Sequence, residues 1–320
     1  MRQIQSHAEQ AEMVSLWRGV GWGYRTVRDD RGRTARRWYI SAFFDDPYRP
    51  RFSEDEWARR KAHTEQAVND ALAHGRDTEA LHHVFGPVWT PQRAREQRDF
   101  LHQVWKDKHG DELPTDRQMM LMAGLSGSGK GTVLKQLAKS QGTGGPFDAS
   151  RYLGIDADDM KERMVDYGMV PQIPGLSPLE MAPLIHEESS HLANLMARKA
   201  YNRGTNVLWD TTLGSPNAVR RRLGDMQQHG YTGHGLYVHT EAPTAQQRAE
   251  GRFRRGVEEY DLEGKGRGGR YVPQAAYAEQ LTRGLQGPPQ NFTNFQTIRP
   301  HLQTSQVWDN NSDNPPTQVE

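Results

Sequence analysis

The 320 residues include no cysteine, and 41 Lys plus Arg almost cancel 40 Asp plus Glu, leaving a net charge of +1. Disulfides, thiolate nucleophiles and Cys-ligated zinc are excluded, and no overall field exists to hold the chain on nucleic acid or an anionic membrane. Only 35% of residues are hydrophobic and no apolar run approaches a signal peptide or a membrane span, so the expectation is a cytoplasmic enzyme with no membrane contact.

Six of the eight tryptophans fall before residue 106, which sets the first third apart and places a domain boundary near residue 113. Within it, Tyr24 to Val27 and Trp38 to Phe44 favour strands around the turn-like Asp29-Asp30-Arg31-Gly32, which reads as a hairpin. Aromatic residues interleave with Arg18, Arg25, Arg28, Arg31, Arg33, Arg36 and Arg37. Nucleic-acid contact would use such a pattern, but tryptophans in a core with arginines on the wet face explain it more simply, and no nucleic-acid partner is expected. A helix over Glu54 to His74 is marked by Ser53 and Glu56 in capping-box spacing, by Phe52 and Trp57 as a hydrophobic staple, and by Gly75 as a stop. Thr90-Pro91 opens a second helix that ends by Gly110. Residues 1–112 are thus a mainly helical region with a β-hairpin.

From Asp116 onward, apolar runs of strand length alternate with helical patterns, the signature of a parallel sheet covered on both faces. Strands are expected at Met119–Ala123, Tyr152–Asp156, Asn206–Asp210, Gly235–His239 and Gln306–Asp309. Residues 113–311 therefore read as an α/β domain of the P-loop NTPase and kinase class, with a five-stranded, mainly parallel sheet flanked by helices. Residues 312–320 have the composition of a disordered tail.

The strongest motif follows the first of these strands: Gly124, Leu125, Ser126, Gly127, Ser128, Gly129, Lys130, Gly131 and Thr132. Backbone N–H groups can wrap a triphosphate only where side chains do not block close approach, which explains the glycines at 124, 127 and 129. Lys130 would reach the β- and γ-phosphates. The hydroxyl comes one residue later than in the simplest form of the motif, at Thr132. Thr132 either ligates Mg²⁺ directly or contacts phosphate while water and a carboxylate complete the metal shell. ATP or GTP with Mg²⁺ is the expected cofactor.

Chemistry beyond nucleotide binding needs an acceptor side. Asp156, Asp158 and Asp159 end the second strand, where ligands bind in open α/β sheets, and Asp158 is the candidate base for an acceptor hydroxyl. The same acids would also cap the following helix. Asp210 ends another strand and resembles a metal-side carboxylate, with Thr211 and Thr212 behind it. Asp156, Glu188, Thr211 and Thr212 are the candidates for substrate contact. Developing charge on the transferred phosphoryl group requires cations, and Arg248, Arg252, Arg254, Arg255, Lys265, Arg267 and Arg270 supply them. Of these, Arg252 and Arg270 are the expected phosphate clamps. The glycine-rich stretch Glu263 to Arg270 is expected to close as a flexible lid. His186-Glu-Glu-Ser-Ser-His191 is not a zinc protease motif, because its histidines are five residues apart and do not share a helical face in ligand geometry.

Taken together, residues Met119 to Asn310 resemble the zeta toxin family of P-loop kinases. The resemblance rests on the loop ending at Lys130, Ile155-Asp-Ala-Asp158, Glu188-Ser-Ser, Gly204-Thr-Asn-Val-Leu-Trp-Asp210-Thr-Thr-Leu, the arginine helix, Gly269-Arg270-Tyr-Val-Pro273 and Asp309-Asn310. Thr211 stands where many members carry glycine. The resemblance implies phosphorylation of the 3′-hydroxyl of the amino sugar in UDP-N-acetylglucosamine, with Lys130 on the phosphates, Asp158 as base and Arg252 and Arg270 as clamps. It also implies an antitoxin protein as partner. Other acceptors in view are a nucleoside, a polynucleotide end or an antibiotic hydroxyl, and a nucleotide-binding assembly module with weak catalysis is the reading from another class.

Overall fold

The computed structural model describes residues 22–28, 34–40, 50–141, 144–273, 289–311 and 315–320. The chain divides into two compact units, residues 1–49 and 50–320. In the first, β1 (Trp22–Arg28) and β2 (Thr34–Ile40) pair antiparallel, with Trp22 opposite Ile40 and Arg28 opposite Thr34. This is the hairpin read from the sequence; its turn at 29–32 lies outside the described residues.

The second unit opens with α1 (Glu54–Ala73), where the capping box forms as expected: Ser53 Oγ accepts from the Glu56 N–H, and the Glu56 carboxylate accepts from the Ser53 N–H at 2.8 Å. A one-turn helix α2 (Thr78–His82) and a short antiparallel pair, β3 (His83–Phe85) and β4 (Val88–Trp89), lead to α3 (Pro91–Asp107). Thr90 caps α3 through its hydroxyl, and Pro91 occupies the first turn, where no N–H is needed.

Next come the five expected strands: β5 (Gln118–Ala123), β6 (Leu153–Ile155), β7 (Val207–Thr211), β8 (Thr232–His239) and β9 (Thr304–Asp309). They lie parallel in the order β9-β8-β5-β7-β6. A sixth strand, β10 (Thr317–Gln318), adds antiparallel to β9, with Thr317 opposite Asp309. The disordered tail expected from composition is corrected there, because the free edge of β9 offers ladder hydrogen bonds that a polar sequence can take. The helices are α4 (Lys130–Gln141), α5 (Ala157–Asp166), α6 (His186–Arg203), α7 (Pro216–His229), α8 (Ala242–Glu263) and α9 (Gln290–Ile298), with a 3-10 segment at Pro178–Ile185. Among the described residues, no helix is long and apolar enough to cross a membrane.

Both faces of the sheet are buried, and β5 makes the division plain. Met119, Leu121 and Ala123 point into one core with residues of α3, α5 and α6; Met120 and Met122 point into another with Val133 and Leu137 of α4. The period-two alternation of a strand is therefore apolar on both sides, which is why β5 reads as an uninterrupted apolar run.

The boundary expected near residue 113 is corrected: α1 and α3 belong to the same compact unit as the sheet. Phe100, Val104 and Trp105, spaced to share a face of α3, and Ala71 of α1 are buried in the larger core. Each large apolar side chain so buried contributes roughly 1.5–3 kcal/mol. Polar contacts reinforce the union. Arg93 of α3 grips Glu188 of α6 with two bonds of 2.8 Å, Gln97 adds a third at 2.7 Å, Nη2 of the arginine also donates to the Met169 carbonyl at 2.7 Å, and Nη1 goes to Glu96 at 3.0 Å. Arg60 of α1 makes a similar fork to Glu180, which also accepts from Ser177 and Thr64.

Glu188 is fully buried and Arg93 nearly so. Removing one partner leaves a charge without compensation in the interior, so Arg93→Ala should cost about 3–5 kcal/mol. Denaturant titration should show a lower midpoint. The paired change Arg93→Met with Glu188→Leu should recover much of the loss.

Candidate active site

The carboxyl ends of β5, β7 and β6 are neighbours, and each delivers a charged group to the same edge of the sheet. After β5 the chain turns through Gly124, Gly127 and Gly129, all at positive φ (149°, 90° and 82°), and enters α4 at Lys130. Only glycine adopts all three conformations without strain. Packing makes a second demand: a Cβ on Gly127 would fall 2.1 Å from the Ala245 carbonyl oxygen of α8, and one on Gly129 would fall 2.2 Å from Asn310 Nδ2.

The loop is braced from residues far along the chain. The Ser128 carbonyl accepts from Asn310 Nδ2 at 2.7 Å and from the Thr240 hydroxyl at 3.1 Å, and Arg248 donates to the Asn310 carbonyl at 2.8 Å. Asn310 and Thr240 follow the ends of β9 and β8, so neighbouring strands supply both braces. No role was read for either in the sequence, since a lone Asn or Thr after a strand looks like a turn residue. Lys130 Nζ lies over the loop, donating to the Gly124 carbonyl at 2.9 Å and the Leu125 carbonyl at 3.2 Å, with Asp210 Oδ1 at 3.5 Å.

At the end of β6, Asp156 caps α5 by accepting from the Asp158 N–H at 2.8 Å. The capping role and the site role thus coexist in one cluster. Asp158, in the first turn of α5, receives Arg270 Nη1 at 2.7 Å and Lys161 Nζ at 3.0 Å. Asp159 turns away to Lys108 and Arg163. Burial pushes the Asp156 carboxyl up to about 7, with the Asp210 and Asp158 charges adding to the rise. Burial also raises Asp210, more than Lys130 beside it can offset. Asp158 goes the other way: burial opposes its ionisation, but Lys161, Arg270 and Lys130 together hold it below the usual carboxylate range. One carboxylate is kept ionised and aimed while its neighbours share the cost of proximity.

Other expected site residues fall elsewhere. Glu188 is turned away into the Arg93 pair, so its carboxylate is committed to holding α3 on α6; a Glu in the first turn of a helix looks the same in sequence whether it faces a ligand or a buried arginine. Thr211 ends β7, and its hydroxyl accepts from the Leu213 N–H at 3.1 Å, closing a turn in which Leu213 has φ of 51°. Thr212 follows, half-buried. Arg254 is buried and bonded to Glu54, Glu258 and the Phe52 carbonyl, which removes it from consideration as a clamp. Arg252 is exposed one turn beyond Arg248, on the same face of α8. The flexible lid is corrected: Arg267 bonds Asp166 at 2.6 and 2.7 Å and Glu162 at 3.1 Å, its carbonyl accepts from the Leu179 N–H, and Gly268 and Gly269 pack on Ser177 and Phe253 too closely for any Cβ. Glycine serves there for close approach and, at Gly268, for a φ of 87°, in a stretch tied down at both sides.

Among the described residues, no three His, Cys, Asp or Glu side chains cluster to cage a metal ion. The hard oxygens of Thr132, two residues after Lys130 in the chain, and of Asp210, 3.5 Å from Lys130 Nζ, are of the chemistry that suits a cation taking most of its ligands from phosphate and water, as Mg²⁺ does.

The zeta toxin family model matches residues 103–313. Among solved structures, the chain is similar to the AvrRxo1-ORF1:-ORF2 complex with ATP, at 13% identity over 76% of this chain and 75% of that one, with a TM-score of 0.50. It is also similar to the PezAT chromosomal toxin-antitoxin system of Streptococcus pneumoniae, at 13% identity over 70% and 79% of the two chains, with a TM-score of 0.46. No curated protein sequence matches the chain.

Two predictions follow from the geometry. Gly127→Ala forces a Cβ into the Ala245 carbonyl at a positive φ, so ATP affinity measured by calorimetry should fall at least about tenfold. Gly131→Ala, with nothing within 4 Å of the added carbon, should bind ATP as before. Because the folded-state Asp156 value of about 7 exceeds its unfolded value, the protonated group stabilises the fold below about pH 4 and that contribution is lost as pH rises through 7. Asp156→Asn, which keeps the helix cap, should therefore gain stability relative to the parent between pH 4 and 8 in denaturant titrations.

Proposed function

The chain belongs to the zeta toxin family of P-loop kinases, and from that premise we propose that it is a cytoplasmic enzyme that phosphorylates the 3′-hydroxyl of the amino sugar of UDP-N-acetylglucosamine, using ATP or GTP. The observation that carries this reading is the convergence of Lys130, Asp210 and Asp158 at the carboxyl ends of three adjacent parallel strands, with Arg270 bonded to Asp158. A nucleotide-binding module would need the loop and its lysine; it would have no use for a carboxylate held ionised beside them.

In this reading the loop N–H groups and Lys130 hold the triphosphate, and Arg248 and Arg252 approach it from α8. Thr132 and Asp210 would hold Mg²⁺, which neutralises charge on the phosphate oxygens. Asp158 orients the acceptor hydroxyl and takes its proton as the new O–P bond forms. Arg270 has two calls on its guanidinium: Asp158 and the transferred phosphoryl group. As negative charge collects on the equatorial oxygens, the arginine shifts its bonding toward them, and Asp158 loses part of the positive charge that depresses its basicity. The base therefore strengthens as the proton must move. Membership of a toxin family further supports an antitoxin protein as the regulatory partner.

Incubation with ATP, Mg²⁺ and UDP-N-acetylglucosamine should yield a phosphorylated nucleotide sugar by mass spectrometry. Asp158→Asn should lower kcat by about 10²–10⁴ while retaining ATP binding, and Lys130→Ala should abolish transfer. An intact protein that binds ATP and leaves the sugar unmodified would sink this acceptor, and a different hydroxyl would take its place.

A further inference from the structure

A cavity of about 170 Å³ opens beside Arg270. One wall is α8, through Gln246 and Phe253; the second is Arg270 and Tyr271; the third is α1, through Lys61 and Glu65. The family match begins at residue 103, so α1 lies outside it. We propose that Lys61 and Glu65 of α1 are specificity residues for the acceptor, contacting the part of the nucleotide sugar that trails from the reacting hydroxyl.

This rests on the acceptor reading above and deepens it. The side of the reaction to which the cavity belongs follows from the faces of α8. Arg248 reaches Asn310, which braces the phosphate loop, so that face of the helix is turned to the donor. At about 100° per residue, Phe253 stands roughly 140° round the helix from Arg248, so the cavity faces away from the donor side. Its link to the chemistry is Arg270, which lines the cavity and bonds Asp158, the proposed base. A ligand with its hydroxyl at Asp158 passes Arg270 to reach this space.

The chemistry of the walls suits a polar, ring-bearing group. Whole-ligand pockets run from about 300 Å³ upward, so the space takes one portion of an acceptor and not all of it. Phe253 and Tyr271, with ring centroids 5.6 Å apart, offer apolar faces. Lys61 Nζ donates to Glu250 at 2.9 Å, leaving two of its three donors for ligand oxygens. Burial, with the Glu65 charge adding, pushes the Tyr271 phenol up to about 12, so it stays a neutral hydroxyl. Glu65 is exposed at the rim and supplies the acceptor oxygens that sugar and base donors need.

The test is steady-state kinetics on the full chain with Lys61→Ala and Glu65→Ala, varying UDP-N-acetylglucosamine at saturating ATP and the reverse. Both positions lie at the surface, so the melting temperature should move by less than about 2 °C. The expected result is a rise in KM for the nucleotide sugar of roughly tenfold per variant, the scale of one lost hydrogen bond, with KM for ATP unchanged. Lys61→Arg should restore most of the loss. Unchanged KM for the sugar in both variants overturns the proposal, as does a rise confined to ATP or shared equally by both substrates. Absence of transfer by the parent protein is a separate outcome: it overturns the acceptor reading itself and this assignment with it.

Discussion

Three carboxylates and three cations meet at one edge of a parallel sheet, and the cations are shared unequally among the carboxylates, two to Asp158, one to Asp210 and none to Asp156. Parallel strands end side by side, so Lys130, Asp210, Asp156 and Asp158 are brought together whatever their mutual repulsion. The sheet resolves the conflict by division. Asp156 is spent on the cap of α5 and is held well above the usual carboxylate range by burial and by the charges of Asp210 and Asp158, while Asp210 leans on Lys130. Asp158 receives both Arg270 and Lys161 and stays ionised. A carboxylate held ionised, as the proposed base must be, is thereby obtained in a place where burial opposes its charge.

That charge geometry depends on a rigid phosphate loop, and the rigidity comes from outside the motif. Ser128 is held by Asn310 and Thr240 from the ends of two other strands, and Gly127 is pressed on the first turns of α8. The glycines are needed twice over, once for backbone conformation and once because neighbouring atoms fill the place of a side chain. The same double use recurs at Gly268, which has φ of 87° and lies against Ser177, while Gly269 serves close approach alone. A glycine-rich stretch that looked free to close is instead wedged between Ser177 and Phe253, and Arg267 ties it to α5.

What the sequence disclosed and what it hid divide along the range of the interactions. The five parallel strands, the phosphate loop, the capping box at Ser53 and the hairpin of β1 and β2 all express local rules, in which the deciding residues lie within a few positions of one another. The residues that escaped are joined across the chain. Arg93 and Glu188 are 95 positions apart, and Glu188 was read as a substrate contact because nothing near it announces a buried arginine. Trp105 and Phe100 look like the core of a separate helical domain; in the fold they cover the sheet. Asn310 and Thr240 brace the loop from 182 and 112 residues away. Their roles exist only once strand order is known.

One helix connects these themes. Along α8, Ala245 backs Gly127, Arg248 reaches the Asn310 brace, and Phe253 walls the cavity beside Arg270. Its buried Arg254 bonds Glu54, and Glu258 accepts from the N–H groups of Arg51 and Phe52, so the opposite side of the same helix is fastened to α1. A helix held at one face by the loop and at another by α1 has little freedom to rotate, because rotation would break the hydrogen bonds of Arg248 to Asn310, of Arg254 to the Phe52 carbonyl and of the Arg51 and Phe52 N–H groups to the buried Glu258. The donor-side arginines and the cavity wall are therefore fixed relative to each other. It follows that α1, although it precedes the family region, is part of what sets the distance between the phosphate loop and the cavity beside Arg270.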